Sequence, residues 1–344
     1  MMADMSETVK PRHSRLRGLS AGKKILLAFV AVLAVIAVAS AGLIVWLLSG
    51  AGVNRFSGND HPAPDTNVHL VMFRDTRAGT NTEVFGSGGG MEGDSGRTDA
   101  MMLVRVDDAH GVDLISLPRD VQVDIPACER ADGTESEPEH TKLNAAYAYG
   151  AVGDDLDTAS EHGARCAQRA VEGMTDVPVE GVAVLDAAVV PKIVDALGGV
   201  EICVSPTQAA EIPGLTQGCS TLDGEQAFDY AQRRVGVEDS SDVARVERQR
   251  AVLEGVAKKL STMGPGDVGT LASLARDIAP YVTADEGMTD IGFIREAVGA
   301  LRAGGFHGRT MPVDSADDGV NLVEAPEAGF LWRALRDGEP LPTI

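Results

Sequence analysis

The stretch that decides the fold reads RTDAMMLVRV at Arg97–Val106 and VDLISLPRD at Val112–Asp120. The five residues between the two runs, Asp107–Gly111, are mostly polar and end in glycine. Two short apolar runs around such a turn predict a β-hairpin. Both runs are nearly continuous in apolar residues, so we expect both faces of the hairpin to be covered in a layered α/β domain.

The ends of this hairpin carry charged side chains. Arg97 and Asp99 begin the first strand, and Arg119 and Asp120 follow the second. Because antiparallel pairing brings these ends together, two arginines and two carboxylates should meet at one edge of the sheet. Such a cluster suits a metal ion and phosphate groups. A pair of solvated salt bridges is the alternative, and the hairpin alone leaves it open.

Composition excludes one class of function. The chain has 344 residues, enough for a real hydrophobic core, and its formal net charge is −21. Affinity for nucleic acid comes mainly from Lys and Arg, so a chain this acidic is a poor nucleic-acid binder. The basic residues are unevenly placed, since residues 1–24 contain six of them against two acidic residues.

An uncharged apolar run follows the basic segment, from Ile25 to Leu48. As a helix it would span roughly 36 Å, which is enough to cross a bilayer of ~30 Å with some tilt. A signal peptide is the alternative, because Ala39-Ser40-Ala41 resembles a cleavage site, although its apolar region is usually only ~7–15 residues long. The positive-inside rule places the N-terminus in the cytoplasm.

These features predict a single-pass protein of the cell membrane with four segments. Residues 1–24 form a basic cytoplasmic tail and residues 25–49 a transmembrane helix. Residues 50–66, rich in turn-forming residues, form an exposed linker. Residues 67–344 form one extracytoplasmic domain.

Four cysteines, Cys128, Cys166, Cys203 and Cys219, fall in the exported part. An even number outside the cytoplasm favours two disulfides, although four cysteines allow three pairings. Cys203–Cys219 is favoured because it closes a short loop, which leaves Cys128–Cys166. Free buried thiols are the alternative.

Three further expectations concern the rest of the chain. Asp186 should cap a helix that ends before Gly198-Gly199, and a late strand is expected near Thr310–Val313. Apolar residues at helical spacing predict a helix over Asp242–Leu260. On that helix Arg245 and Gln249 lie four residues apart beside the apolar face, whereas Arg248 and Arg250 are interpreted as surface charges.

Seven short motifs follow one another along the chain. They are DTR at 75–77, RTDAMML at 97–103, SLPRD at 116–120, KLNAAY at 142–147, DALGGV at 195–200, LDGEQA at 222–227 and RVERQ at 245–249. In this order they resemble the LytR–CpsA–Psr family of cell-envelope proteins, over roughly residues 67–260. Seven motifs in order are a specific signal, where any one of them would be weak.

The resemblance implies an α/β fold, an α-β-α sandwich around a central mixed sheet, preceded by one N-terminal transmembrane helix. It implies a phosphotransferase that moves a secondary cell-wall glycopolymer from a polyprenyl-pyrophosphate carrier to peptidoglycan through a phosphodiester bond. It also implies Mg²⁺, or Mn²⁺ in its place, and a hydrophobic pocket for the polyprenyl chain.

By motif position the resemblance assigns the site residues as well. Asp75 and Asp99 would be the metal ligands, and Asp99, Arg97 and Arg119 the catalytic residues. The pyrophosphate would be bound by Arg97, Arg119, Lys142, Arg234, Arg245 and Gln249. The chemistry is consistent, because a divalent cation and planar guanidinium groups stabilise the charge that develops when a P–O–P link breaks.

This sequence departs from the family pattern at two positions. Phe73 occupies the place of a usual glycine two residues before Asp75, and Gln232 occupies the first arginine position of a usual Tyr-x-Arg-x-Arg motif. A non-catalytic polyprenyl-phosphate lipid-binding protein or an envelope regulator is therefore the alternative. The general base also stays open between Asp99 and Asp120.

Overall fold

The computed structural model describes residues 54–56, 67–75, 96–107, 110–211, 215–232, 242–263, 267–286, 288, 291–316 and 321–343. All of them fall within the unit Val45–Ile344. Among these residues, no helix combines the length and the hydrophobicity that a membrane span requires. The predicted cytoplasmic tail and transmembrane helix, residues 1–49, lie outside the described residues.

The secondary structure alternates between strands and helices. The strands are β1 (Asn54–Phe56), β2 (Val68–Asp75), β3 (Arg97–Asp107), β4 (Gly111–Leu117), β5 (Gln122–Ile125), β6 (Glu139–Lys142), β7 (Gly181–Asp186), β8 (Val200–Val204), β9 (Gly218–Leu222), β10 (Val282–Asp285), β11 (Phe306–Thr310), β12 (Val313–Ser315) and β13 (Leu322–Glu324). The α-helices are α1 (Ala146–Gly150), α2 (Leu156–Thr175), α3 (Val189–Ala196), α4 (Pro206–Glu211), α5 (Gly224–Gln232), α6 (Asp242–Thr262), α7 (Val268–Ile278), α8 (Ile291–Gly304) and α9 (Ala328–Asp337). Within the described ranges, 3₁₀ helices at Leu143–Ala145 and Ala279–Tyr281 precede α1 and β10.

Seven strands form the central sheet, in the order β1-β10-β7-β2-β3-β4-β11. The pairs β1–β10, β7–β2 and β4–β11 are parallel, and the pairs β10–β7, β2–β3 and β3–β4 are antiparallel. The predicted mixed sheet is therefore confirmed. Because β10 and β11 come from the last quarter of the chain, that segment completes the same domain.

Helices cover both faces of this sheet. On one face Met72, Met101 and Leu103 pack against apolar residues of α2 and α9. On the other face Ala100, Met102 and Leu114 pack with Leu253 of α6. Alternation of side chains along each strand produces this division, and the result is an α-β-α sandwich. Ala100 and Met102 of the second face also line an apolar cavity.

The predicted hairpin is present as β3 and β4, with Met101 opposite Leu117 and Asp107 opposite Gly111. Its strands also carry a buried charge pair. Arg105 and Asp113 face each other in register and are only 2% and 3% exposed. Arg105 Nε donates to Asp113 Oδ2 at 3.0 Å, and Nη1 donates to the carbonyl oxygen of Ala334 in α9 at 2.8 Å. The guanidinium therefore ties α9 to the sheet.

Asp186 does not cap α3, contrary to the sequence-based expectation. It ends β7, is 5% exposed and accepts a hydrogen bond from Arg74 Nε at 2.8 Å. The N-cap of α3 is Ala188, which makes no side-chain capping bond. The predicted end of this helix is confirmed, since α3 stops at Ala196 and Gly198 and Gly199 have φ of +71° and +91°.

Two boundaries also differ from the sequence-based expectation. The late strand predicted near Thr310–Val313 falls on the junction between β11, which ends at Thr310, and β12, which begins at Val313. Three residues inside the predicted linker, Asn54–Phe56, form β1, and Phe56 is 7% exposed in the core. A three-residue edge strand is too short for hydrophobic periodicity to reveal.

The structure pairs Cys203 with Cys219, as the short loop favours, and Cys128 with Cys166, the pair that remains. The Cys128–Cys166 pair joins the segment after β5 to α2, and both residues are 1% exposed. The Cys203–Cys219 pair lies in register across the β8–β9 hairpin. The two bridges therefore reinforce different layers of the domain.

His69 makes the stability of the fold depend on pH. This β2 residue is 5% exposed, and burial lowers the pKa of its imidazole from 6.5 to about 4. The unfolded chain therefore binds a proton at His69 between pH 6.5 and 4 that the folded chain does not. We expect the free energy of unfolding to be unaffected by His69 above pH 6.5 and to fall by about 3 kcal/mol as pH drops towards 4.

Urea unfolding across this pH range measures the effect. His69→Gln should flatten the slope between pH 6.5 and 4, whereas Gln217→Asn, at an exposed residue that does not titrate, should keep the wild-type slope. An unchanged slope in His69→Gln would show that other groups control the acid response.

Candidate active site

A β-bulge lies at the end of β2 and the start of β3. Phe73 pairs with Ala100 and Arg74 pairs with Thr98, so β3 holds one extra residue, Asp99, between these two pairs. The next pair is Asp75 with Arg97. The backbone of Asp75 thus lies directly opposite that of Arg97, although residues 76–96 separate them in sequence.

The bulge decides which face Arg97 lies on. Arg74 contacts Tyr147 and Ser160 on the face covered by α1 and α2, and Thr98 pairs with Arg74. Arg97 is the next residue and therefore belongs to the opposite face, that of Ala100 and Met102. It is exposed there. Bulges re-aim side chains in this way, and they occur often beside active sites.

A second group of charges follows β4. Asp120 accepts a hydrogen bond from Lys142 Nζ at 2.8 Å through Oδ1, and its Oδ2 lies 3.5 Å from Arg119 Nε. The backbone N–H of Asn144 donates to the carbonyl oxygen of Arg119 at 3.0 Å, so the segment after β6 is tied to the same turn. Asp120 therefore holds together two of the predicted site residues, Arg119 and Lys142.

Sequence reasoning missed two polar groups near these charges. Thr98 Oγ1 and Asn144 Oδ1 are buried and have no hydrogen-bond partner among the described residues. Thr98 adjoins Arg97 in sequence, and Asn144 is bonded to Arg119 through its backbone. Buried oxygens without partners are costly, so such groups often mark places where a ligand or water binds.

An apolar cavity of about 260 Å³ adjoins the bulge on the second face. Phe73 and Ala100, the pair next to Asp99, form part of its wall. The other lining residues come from β3, the segment before α3, and helices α3, α5 and α6: Met102, Ala187, Val190, Ile193, Phe228, Ala231, Gln232, Gln249, Val252, Leu253 and Val256. A deep apolar wall with a few polar groups is typical of a site for a hydrophobic ligand.

Two glutamines supply the amide groups of this cavity. Gln232, the last residue of α5, is exposed, and Gln249 of α6 is partly buried. The predicted position of Gln249 beside the apolar face of α6 agrees with the structure, because Gln249, Val252 and Val256 line one cavity. Arg234 and the side chains of Arg245, Asp75 and Asp99 lie outside the described part of the structure.

Arg248 is not a surface charge. It is 6% exposed, and it lies close enough to Tyr230 to affect its titration. Burial raises the pKa of the Tyr230 hydroxyl, while the Arg248 guanidinium and a hydrogen bond with Gln208 oppose the rise. Arg250 is partly buried, and its Nη1 donates to Glu254 at 2.6 Å. Arg248 is therefore buried near Tyr230 of α5, and α5 and α6 both line the cavity.

The site thus places an apolar cavity near a group of charged residues of both signs. Arg97 lies three residues from the cavity residue Ala100, and Arg119 follows β4, the strand next to β3. No group of three or more potential metal ligands occurs among the described side chains. Such an arrangement can hold a molecule with a long apolar part and an anionic head.

The chain matches the model of the LytR_cpsA_psr family over residues 53–333. A relative from Enterococcus faecalis, named polyisoprenyl-teichoic acid--peptidoglycan teichoic acid transferase TagU, is 31% identical over 171 residues, 49% of each chain. The cell wall biosynthesis protein LcpA of Corynebacterium glutamicum is 25% identical over 71% of this chain and 50% of its own. The match thus spans about half the length of these relatives.

Solved structures show the same fold. The LytR-Csp2A-Psr enzyme from Actinomyces oris superposes with a TM-score of 0.55 at 21% identity, over 82% of this chain and 96% of its own. TagT bound to LI-WTA superposes with a TM-score of 0.55 at 20% identity, over 83% and 95%. At these identities the likeness concerns the fold alone.

We expect the cavity to bind an alkyl chain. Leu253→Gln places an amide in the apolar wall, and losing roughly 1.4 kcal/mol of apolar burial should raise the Kd for a fluorescent alkyl probe about tenfold. Lys259→Gln, at an exposed position on the same helix, is the control and should bind like the wild type. Equal affinity in all three proteins would place the probe elsewhere.

Proposed function

Because the chain belongs to the LytR–CpsA–Psr family, we propose that it is a transferase that moves a glycopolymer from a polyprenyl-pyrophosphate carrier to peptidoglycan. The observation that carries this proposal is the apolar cavity beside the bulge of β3. A polyprenyl carrier has the matching chemistry, since a long hydrocarbon chain ends in a diphosphate. Relatives named as polyisoprenyl-teichoic acid transferases support the same class of substrate.

In this proposal the hydrocarbon chain enters the cavity and the diphosphate lies at its charged edge. Arg97, Arg119 and Lys142 bind the phosphate oxygens, with Arg234, Arg245 and Gln249 completing the set. Guanidinium groups are suited to this role because they bind phosphate in a bidentate manner and stay charged. They lower the barrier by stabilising the negative charge that grows on the leaving phosphate.

A divalent cation, Mg²⁺ or Mn²⁺, fits the donor chemistry at positions 75 and 99. Both residues are aspartates, and hard cations prefer carboxylate oxygens. The backbone register supports the choice, because Asp75 is opposite Arg97, two residues from Asp99. When bound, the cation would neutralise part of the diphosphate charge.

Asp120 is better placed to position cations than to act as a base. One carboxylate oxygen accepts from Lys142 and the other lies near Arg119. Cations around a carboxylate stabilise its charged form and make it a weaker proton acceptor. Asp120 is therefore assigned to positioning Arg119 and Lys142 in this proposal.

The localisation follows from the basic tail and the apolar run. We propose that residues 25–49 anchor the protein in the cell membrane and that the domain works outside the cytoplasm. The two cysteine pairs support an exported domain, because disulfides persist in oxidising compartments.

The test uses the full chain in proteoliposomes with a polyprenyl-pyrophosphoryl glycan and peptidoglycan. We expect Mg²⁺-dependent release of polyprenyl phosphate together with labelled peptidoglycan. Arg119→Ala and Asp99→Ala should each lower the rate roughly 100-fold, the usual cost of one charge-stabilising group. Arg276→Ala, at an exposed position on α7, should leave the rate unchanged. Full activity in both site variants would refute the assignment.

Gln232 favours a second candidate function, that of a lipid-binding protein without turnover. It lines the cavity at a position where the LytR–CpsA–Psr family usually has an arginine. If the chain is a transferase, Gln232→Arg should raise turnover roughly tenfold by adding one charge-assisted hydrogen bond. Gln217→Arg adds the same charge on an exposed loop and should have no effect. Tight lipid binding with no turnover in any of these proteins would favour the second candidate.

A further inference from the structure

A buried guanidinium lies directly behind the site. Arg74 is 7% exposed, and its Nε and Nη2 donate to Asp186 Oδ1 at 2.8 and 2.5 Å. Its Nη1 donates to Ser160 Oγ at 2.7 Å and to the Tyr147 hydroxyl at 3.4 Å. Tyr147 in turn donates to Ser160 at 3.1 Å. One side chain thus connects β2, β7, α1 and α2.

We propose that Arg74 is a positioning residue that sets the spacing between the two halves of the diphosphate site. This inference rests on the proposed function, since it assumes that the two groups of charges act on one ligand. The first half is the bulge with Arg97 and the backbone of Asp75. The second half is the turn with Arg119, Asp120 and Lys142.

Arg74 controls the first half through the strands. It precedes Asp75 and pairs with Thr98 just beyond the bulge. Its carbonyl oxygen accepts from the N–H of Ala187, which follows β7. Its side chain then fixes the same strand to Asp186, so the end of β2 is held by both backbone and side-chain bonds.

Arg74 controls the second half through Tyr147. This residue lies in α1, which follows the 3₁₀ helix Leu143–Ala145 without a break and therefore moves with Lys142 and Asn144. Asn144 N–H binds the carbonyl of Arg119, and Leu143 N–H binds that of Val121. A displacement of Tyr147 would therefore reach the turn that carries Arg119.

Close packing restricts the movement of Tyr147 relative to α2. A Cβ atom at Gly163 of α2 would lie 2.8 Å from the Tyr147 ring, and one at Gly150 would lie 2.2 Å from the carbonyl oxygen of His162. The ring is therefore fixed against α2. Burial alone would lower the pKa of Arg74, but Tyr147 and Asp186 outweigh it and raise the pKa, so the group stays charged.

Arg105 provides a matched control for this charge. It is also a buried arginine bound to an aspartate of the neighbouring strand, but it lies at the other end of the β2–β3 pair, opposite Val68. Its remaining bonds go to backbone carbonyls of Ala334 and Glu339. Loss of either arginine leaves a buried carboxylate without its charged partner. Of the two arginines, only Arg74 connects the two halves of the site.

The experiment compares Arg74→Met with Arg105→Met in the full chain. Inorganic diphosphate binding with Mg²⁺ is measured by calorimetry, and amide hydrogen exchange is followed at 97–100 and 142–145. Both variants should lower Tm. Only Arg74→Met should raise the diphosphate Kd, by at least tenfold, and speed exchange in both segments. Equal effects of the two variants, or unchanged exchange in Arg74→Met, would overturn the proposal.

Tyr147→Phe and Arg74→Lys cover the case in which Arg74→Met does not fold. Tyr147→Phe keeps the pair with Asp186 but removes the bond to α1, so exchange should rise at 142–145 and not at 97–100. Arg74→Lys keeps the charge but not the planar guanidinium group. Its diphosphate Kd and its exchange rates should therefore lie between those of wild type and Arg74→Met. If wild type binds no diphosphate, the proposed function fails, and the exchange data alone decide the role of Arg74.

Discussion

The pairing of β2 with β3 places the first half of the candidate site, because side chains alternate along a strand and one inserted residue reverses their order. In an unbroken β3, Arg97 would share a face with Met101, inside the core under α2 and α9. The extra residue at Asp99 transfers Arg97 to the face of Ala100 and Met102, where the cavity lies. The same pairing sets the backbone of Asp75 opposite Arg97, so the sheet joins two motifs that a long segment separates in sequence.

Buried charge has a different function at each end of this strand pair. Near the site, Arg74 binds Asp186, Ser160 and Tyr147, and so connects strand ends to the helices behind them. At the far end, Arg105 binds Asp113 and backbone carbonyls of the C-terminal segment. Apolar contacts are non-directional, whereas a guanidinium with several fixed acceptors defines distances and angles. The proposed diphosphate site would depend on contacts of the second kind, because they fix the distance between its groups of charges.

Patterns local in sequence predicted the elements well, and long-range contacts account for what they missed. The hairpin, the helix over Asp242–Leu260 and the glycine stop at Gly198-Gly199 follow from short-range rules and agree with the structure. Asp186 looked like a helix cap because its partner Arg74 lies in another strand. Arg248 looked like a surface charge because helical spacing shows only which residues of α6 are apolar. It does not show that a neighbouring helix buries Arg248. The bulge at Asp99 leaves no mark on hydrophobic periodicity, since both faces of β3 are covered.

The acidic composition of the chain also bears on the site. Arg97 lies three residues from the cavity residue Ala100 in a protein of net charge −21, so the surrounding charge favours solvation and opposes unspecific binding of anions. An anion must therefore gain affinity from directed contacts, or from a hydrocarbon chain attached to it. Free phosphate has only the first source, and a polyprenyl diphosphate has both. Under the proposed function, the apolar cavity and the acidic surface together would favour anionic lipids over soluble anions of the same head group.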